Sequence, residues 1–434
     1  MQLRKFNFTF AQTKSMRRGR HTSANTDWII IFLYAVLVFF GWLSIYSASS
    51  GDEVISIFDM SERYGKQLLW IALAAVLAIV IMIIDAKFFS QFAYGFYIGM
   101  IIILIGVLLF GKTVAGSKSW FQIGSFAIQP AEFAKFATSL ALAKYLSTLN
   151  VDFRQLKTRI FSMAILALPA ILILLQNDTG SALVYFSFAL VLFREGMSGA
   201  IIIVGIVMAI LFILTLLFGE IYIISALAVV FALVWLLFKK YRKHFKLGFA
   251  MFVLASSFVY SVNYGYQNVL ATHQKKRINV LIGIEDDIHG AGYNVNQSKI
   301  AIGSGGLTGK GFRQGMLTRN NFVPEQDTDF IFCTVGEEWG FMGSATLVLL
   351  YVAFLMRLVF LAERQRSKFG RIYGYGVASI LFFHFAVNIG MTIGLAPVIG
   401  IPLPFFSYGG SSLWAFTILL FIFIKQDANR LSVL

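Results

Sequence analysis

One cysteine and six prolines in 434 residues, with charge on only 13% of them, set the first limits on this sequence. With Cys333 alone, no intrachain disulfide and no cysteine-built metal site can form. Neither CxxC nor HExxH spacing occurs, so nothing marks a zinc enzyme. Internal repeats and low-complexity segments are also missing, and Asn296-Gln297-Ser298 is too common a pattern to mark a glycosylation site. What fills the place of charge is apolar surface: 58% hydrophobic residues and 45 Phe, against roughly 45–50% apolar and 25% charged in soluble domains. That balance excludes a soluble globular chain. A bilayer core of about 30 Å takes roughly 20 apolar residues per helix, and the chain supplies such windows from Trp28 to Ile424. The alternation of a barrel strand is absent, so the expected class is all-α: a polytopic helical membrane protein.

The windows predict twelve spans, at about 28–49, 67–84, 92–110, 129–147, 160–176, 179–194, 199–218, 220–238, 247–264, 331–360, 371–396 and 406–425. Lys14, Arg17, Arg18 and Arg20 before Trp28–Tyr46 imitate a signal peptide, but the apolar run is too long for one and reads as the first membrane helix. Lys and Arg gather on alternate connections: the N-terminal tail, Lys87, Lys144 to Arg159, Arg194, Lys239 to Lys246, Arg357 to Arg371, and Lys425 with Arg430. By the positive-inside rule both termini are cytoplasmic, and 50–66, 111–128, 265–330 and 397–405 face outward. The expected organisation is a basic cytoplasmic tail (1–27), one membrane domain (28–425) with a large outer loop (265–330), and a short cytoplasmic tail (426–434). The formal charge of +15 is then topology signalling and attraction to anionic lipid headgroups, with no need of nucleic acid.

Ionisable groups within spans are costly and therefore stand out. The fourth span opens Gln129-Pro130-Ala131-Glu132-Phe133-Ala134-Lys135. Pro130 suits a first helical turn, and Glu132 and Lys135 share a face at i,i+3. Such a pair fits a helix-packing contact and a substrate-facing role equally well. In Gln176-Asn177-Asp178-Thr179-Gly180, Asp178 is placed to cap the next helix. His384 and Asn388, one turn apart, read as interhelical hydrogen-bonding groups. Three prolines crowd into Pro397 to Pro404, before Ser407-Tyr408-Gly409-Gly410-Ser411-Ser412. Backbone broken at membrane depth survives against protein or a water-filled cavity, so this run is expected to shape a cleft.

The outer stretch from Tyr264 to Phe330 concentrates polar residues: Arg277, the acidic run Glu285-Asp286-Asp287, and the glycine run Ile302-Gly303-Ser304-Gly305-Gly306-Leu307-Thr308-Gly309-Lys310. The glycine run fails as a nucleotide loop. Gly311 replaces the magnesium-holding Ser or Thr, and Ser304 stands in the place of the first glycine. Either its N–H groups approach an anion closely or it is a surface turn.

Several of these segments together resemble the SEDS family of bacterial shape, elongation, division and sporulation proteins. They are Gln129 to Lys135, Gln176 to Gly180, Asp287 with Gly290-Ala291-Gly292-Tyr293, Gln297 to Gly306, Pro324 to Phe332, Gly336-Glu337-Glu338-Trp339-Gly340-Phe341, and Asn388 through Ser412. The resemblance runs from about 28 to 425, and the Gln297 to Gly306 wording is closer to the elongation branch than to the division branch. It implies a peptidoglycan glycosyltransferase of the bacterial inner membrane, polymerising lipid II beside a class B penicillin-binding protein. Joining a lipid-linked disaccharide to a chain needs one general base and several positive groups on the departing diphosphate. By the family match the base is Asp287. Glu285 and Asp286 would raise its pKa or hold a divalent cation, Mg or Mn, with it. Arg277, Lys299 and, third, Lys310 are the candidates for the diphosphate, and Glu132 and Lys135 become cavity residues near the substrate. A flippase for the lipid-linked sugar shares the need for a charged membrane cavity, and a third reading is a scaffold that binds and activates the transpeptidase. Three departures from the family pattern stand out. Three spans fall between 199 and 264 where one is expected, for twelve against a usual ten. Asp327 replaces the usual His of Pro-Glu-x-His-Thr-Asp, and Ile288 follows Asp287 in place of Pro.

Overall fold

The computed structural model describes residues 25–49, 56–114, 116–124, 126–149, 151–237, 245–268, 275, 292–320 and 322–431. Arg277, Glu285, Asp286 and Asp287 lie outside the described residues. The helices are α1 (Trp28–Ser49), α2 (Arg63–Ile83), α3 (Ala86–Gln91), α4 (Ala93–Phe110), α5 (Pro130–Ser147), α6 (Leu156–Leu175), α7 (Thr179–Leu183), α8 (Phe188–Arg194), α9 (Gly199–Phe218), α10 (Glu220–Leu237), α11 (Phe245–Asn268), α12 (Tyr293–Ser304), α13 (Met316–Arg319), α14 (Ile331–Glu363), α15 (Lys368–Thr392) and α16 (Gly410–Ala428). Each of the twelve expected spans falls on helix, α7 and α8 making one span through a 3-10 turn at Val184–Ser187. Among the described residues ten helices are long and apolar enough to cross a bilayer. Of the other two spans, α5 carries Glu132, Lys135 and Lys144, and the α7–α8 pair is shorter.

Between α4 and α5 lies a three-stranded antiparallel sheet the sequence reading missed: β1 (Lys112–Val114), β2 (Ser117–Ile123) and β3 (Phe126–Ile128). A strand of seven residues in a connection leaves no mark on a span-length hydropathy window.

The chain divides into two compact units. The first holds Met1–Gly196, Gln297–Ile393 and Ile399–Leu434; the second holds Met197–Asn296 and Gly394–Val398. In the second, α9, α10 and α11 pack around Leu211, Ile223 and Val259. These are the three helices where the family pattern expects one. In the first unit, α5 is the most buried of the early helices, from Pro130 and Ala131 through Leu146, and packs against α4, α15 and α16. Its small residues Ala131, Ala134, Ala137, Ala141 and Ala143 are buried and allow close helix approach.

The start of α1 and the ends of α14 and α16 meet in a charge network. Asp27 accepts from Arg357, at 2.5 Å, and from the Ile30 N–H that it caps. Arg364 bridges Asp27 and Asp427. Burial alone would raise the Asp27 carboxyl, but the bonds from Arg357 and Ile30 and the nearby Arg364 hold it below its ordinary value.

Candidate active site

Three groupings of polar residues in the first unit bear on function. The deepest lies on α5. Lys135 Nζ is 2.8 Å from Glu132 Oε1, and both side chains are almost wholly buried. Lys135 Nζ is also 2.9 Å from His384 Nε2 on α15. The His384 Nδ1 lies 3.2 Å from the Pro402 carbonyl. A carbonyl only accepts and an ammonium only donates, so His384 is the neutral tautomer with its proton on Nδ1. The Phe416 ring, 5.1 Å from Lys135 Nζ, closes one side. Glu132 Oε2 is buried with no hydrogen-bond partner among the described residues.

The second grouping explains the glycine run. α14 is broken at Gly340, whose φ of 62° and ψ of −158° suit glycine alone. The run lies along the break and satisfies its backbone. Lys310 and Gly311 N–H groups donate to the Glu337 and Glu338 carbonyls, both at 3.0 Å, and Phe341 and Met342 N–H groups donate to Gly306 and Leu307. A Cβ on Gly305 or Gly309 would overlap the α14 backbone. The middle of the run, Gly306 to Thr308, is an exposed turn, as one of the two readings expected, while the close approach at Gly305 and Gly309 serves the neighbouring helix. Glu337, fully buried, accepts from Lys310 Nζ (2.7 Å) and from the N–H groups of Leu317 (3.0 Å) and Thr318 (2.9 Å) at the start of α13. Its neighbour Glu338 accepts from the Ser47 hydroxyl of α1.

The third grouping sits where α1 ends, α2 begins and 322–330 leads into α14. Arg63 Nη1 lies 2.6 and 2.7 Å from the two carboxylate oxygens of buried Asp327. The Arg63 guanidinium also lies 5.8 Å from the Tyr408 ring centre, and the Tyr408 N–H donates to the Asp327 carbonyl. Asp327, in the place of the usual His, is therefore the anionic half of an ion pair. The loop is gripped from α15 and from the broken segment after it: Asn388 Nδ2 on α15 donates to the carbonyls of Asp329 and Ile401, each at 2.8 Å, and Ser407 Oγ in the segment donates to that of Thr328 at 2.6 Å. The second half of the proline-rich run, with Ile401, Leu403 and Pro404 buried, packs against protein, and the carbonyls of Ile401, Pro402, Leu403 and Pro404 all accept hydrogen bonds, as broken backbone at membrane depth requires. Burial, then Glu325, Asp327, Asp178 and Glu132, push the Asp329 carboxyl up to about 7. A cavity of about 380 Å³ opens beside Arg63 and Asp327.

Of the sequence-derived candidates, Glu132 and Lys135 come together, and Lys310 comes to Glu337. Lys299 is exposed on α12. Asp178 caps α7, accepting from the Ser181 N–H at 3.0 Å, and also accepts from Gln129 at 2.7 Å. Among the described residues no group of three or more His, Cys, Asp or Glu is placed to hold a metal ion. Arg63, Asp329 and the role of Glu337 escaped the sequence reading. Two adjacent carboxylates, Glu337 and Glu338, inside an apolar run were the available signal; Arg63 had none, since it reads as one charge in an outer connection.

Known proteins match nearly end to end. The chain is 33% identical to the peptidoglycan glycosyltransferase RodA of Treponema pallidum over 93% of this chain and 98% of that one. It is 33% identical to the peptidoglycan glycosyltransferase MrdB of Escherichia coli, covering 89% and 88%. Its fold matches a chain in the structure of a peptidoglycan synthase complex that coordinates polymerization and crosslinking, with TM-score 0.69, 26% identity, and 93% and 98% of the chains covered. The rod shape determining protein RodA of Thermus thermophilus gives TM-score 0.60 at 26% identity, covering 93% and 97%. The profile of the FtsW, RodA and SpoVE cell cycle proteins matches residues 27–229 and 221–430. The chain belongs to that family, the SEDS proteins.

Proposed function

We propose that this chain is a peptidoglycan glycosyltransferase that polymerises lipid II during cell-wall elongation. The observation that carries the reading is identity of 33% over 93% of the chain with a protein named for that activity. In the reaction an acceptor hydroxyl attacks the anomeric carbon of a lipid-linked disaccharide. The new glycosidic C–O bond forms as the bond to the lipid diphosphate breaks, and the hydroxyl proton passes to a general base, which we assign to Asp287. Arg277 and Lys299 meet the negative charge on the departing diphosphate. Lys310 stands third: its ammonium has three N–H donors and Glu337 takes one. Glu132 and Lys135 are assigned to the wall of the substrate cavity, supported by the unpartnered Glu132 Oε2. The carboxylates of Glu285, Asp286 and Asp287 are hard oxygen ligands, suited to Mg or Mn, and a divalent cation there would add positive charge opposite the diphosphate.

The chain is a multi-pass membrane protein by its helices. The bacterial inner membrane is the proposed location, with the arginine-rich end at Arg357, Arg364 and Arg430 in the cytoplasm. The proposed partner is a class B penicillin-binding protein, supported by the fold match to a complex coupling polymerization with crosslinking.

The test is purified protein with lipid II and the partner, with and without Asp287→Ala. Glycan strands from the wild type that vanish in the variant, and with EDTA, are expected. Undiminished polymer from the variant sinks the base assignment. Absence of polymer with lipid II crossing vesicles replaces the reading with a flippase.

A further inference from the structure

The cavity beside Arg63 belongs to none of the roles assigned so far. It lies at the junction of α1, α2 and the 322–330 loop, and its volume of about 380 Å³ is that of a small-ligand site. One wall is the Arg63 guanidinium. Asp327 takes both its bonds from Nη1, which fixes the plane of the group, and with 51% of the side chain exposed the remaining N–H groups are open to a ligand. Facing it are two exposed carboxylates, Glu62 and Glu325. Glu325 stands at φ 54°, a left-handed conformation uncommon for a side chain of that size. Strain of this kind persists where the surroundings impose it, and it clusters at binding sites. Pro324, exposed, adds apolar surface over the buried Val323.

The charges select the ligand. Three carboxylates against one guanidinium repel a diphosphate. A metal ion is repelled by Arg63, which also occupies both oxygens of Asp327. A neutral ligand rich in hydroxyl and amide groups meets neither objection: its hydroxyls donate to Glu62 and Glu325, its oxygens accept from Arg63, and the C–H face of a ring lies on Pro324. We propose that this cavity is a sugar-binding subsite for N-acetylated amino-sugar units of the glycan, separate from the groups assigned to the diphosphate. The inference rests on the glycosyltransferase reading and adds to it the place where a neutral sugar is held.

The probe is chitotetraose, titrated calorimetrically into the full chain in detergent, with inorganic pyrophosphate as the charged comparison. Saturable chitotetraose binding is expected, weakened about tenfold by Glu62→Ala or Glu325→Gly, the order expected for loss of a hydrogen bond to a charged group. Glycine relieves the left-handed backbone, so Glu325→Gly should leave the melting temperature unchanged or raised while binding falls. With lipid II the same variants should raise KM with little change in kcat. Unchanged chitotetraose affinity in both variants overturns the proposal, as does pyrophosphate binding that Arg63→Gln abolishes. Asp287→Ala should keep chitotetraose binding while losing polymer. A wild type that binds chitotetraose through Glu325 yet makes no polymer would defeat the catalytic reading and leave the subsite standing.

Discussion

Lys310 Nζ lies 2.7 Å from Glu337 Oε1, which ties the end of the glycine run to the broken helix it lies along. The same carboxylate holds the first N–H groups of α13, so it organises two backbone segments at once. Glu337→Gln turns an amide N–H toward one of those donors and removes the charge. A cost of about 3 kcal/mol is expected, read from denaturant or thermal unfolding in detergent. Lys310→Met should cost less, because Lys310 is partly exposed and the two backbone bonds to Glu337 remain. The double variant should show coupling of about 1–3 kcal/mol. Coupling near zero, with polymerisation lost in Lys310→Met alone, would return Lys310 to a purely substrate-facing role.

Within one motif the glycines should separate sharply. Gly340, at φ 62° on α14, and Gly309, at φ 80°, face one another so closely that a Cβ on either overlaps the other segment's backbone. Gly340→Ala and Gly309→Ala should each lose several kcal/mol, in yield or melting temperature, through strain of about 1–3 kcal/mol plus overlap. Gly303, helical and with nothing within 4 Å of its built Cβ, should gain: Gly303→Ala is expected to stabilise by about 0.5–1 kcal/mol. Equal losses at all three positions would refute this account of the run.

The contrast shows what the sequence could express. Helices long enough to span a membrane announce themselves through composition, so the spans were legible to within a few residues, including the three at 199–268. Glu132 with Lys135 was legible because i,i+3 spacing is a property of one helix. Lys135 with His384, Arg63 with Asp327 and Lys310 with Glu337 were not, since each joins residues 27 to 264 positions apart. The glycine run was visible as a pattern, but its partner was another segment's backbone, which leaves no residue-type signature. The break at Gly340 was hidden for the same reason: one glycine in an apolar run reads as helix.

Asp329 gives a pH signature. Burial and the surrounding negative groups Glu325, Asp327, Asp178 and Glu132 raise its carboxyl to about 7, from 3.8 unperturbed. The folded state then holds a proton between those values that the unfolded chain has lost. Its contribution to stability is fully present near pH 4 and declines as pH rises to about 7. Asp329→Asn, which resembles the protonated acid, should remove that decline. Its melting temperature should exceed the wild type's at pH 8 and match it near pH 4. A variant equally destabilised at both would mean that Asp329 is charged and paired throughout.

The buried pair on α5 distinguishes a structural from a functional charge. Glu132 and Lys135 are both inside the bundle, and Lys135 is further held by neutral His384. Glu132→Gln leaves an ammonium with a neutral amide and imidazole, and Lys135→Met leaves a carboxylate facing an apolar side chain. Each uncompensated buried charge should cost about 3–5 kcal/mol. The double variant Glu132→Gln with Lys135→Met has no charge left to strand and should recover most of that loss in melting temperature. Polymerisation decides the rest. If the pair only packs helices, the double variant should polymerise lipid II about as well as wild type. If the cavity assignment holds, it should fold yet stay at least about tenfold slower, because the unpartnered Glu132 Oε2 and the Lys135 ammonium are then groups the substrate needs.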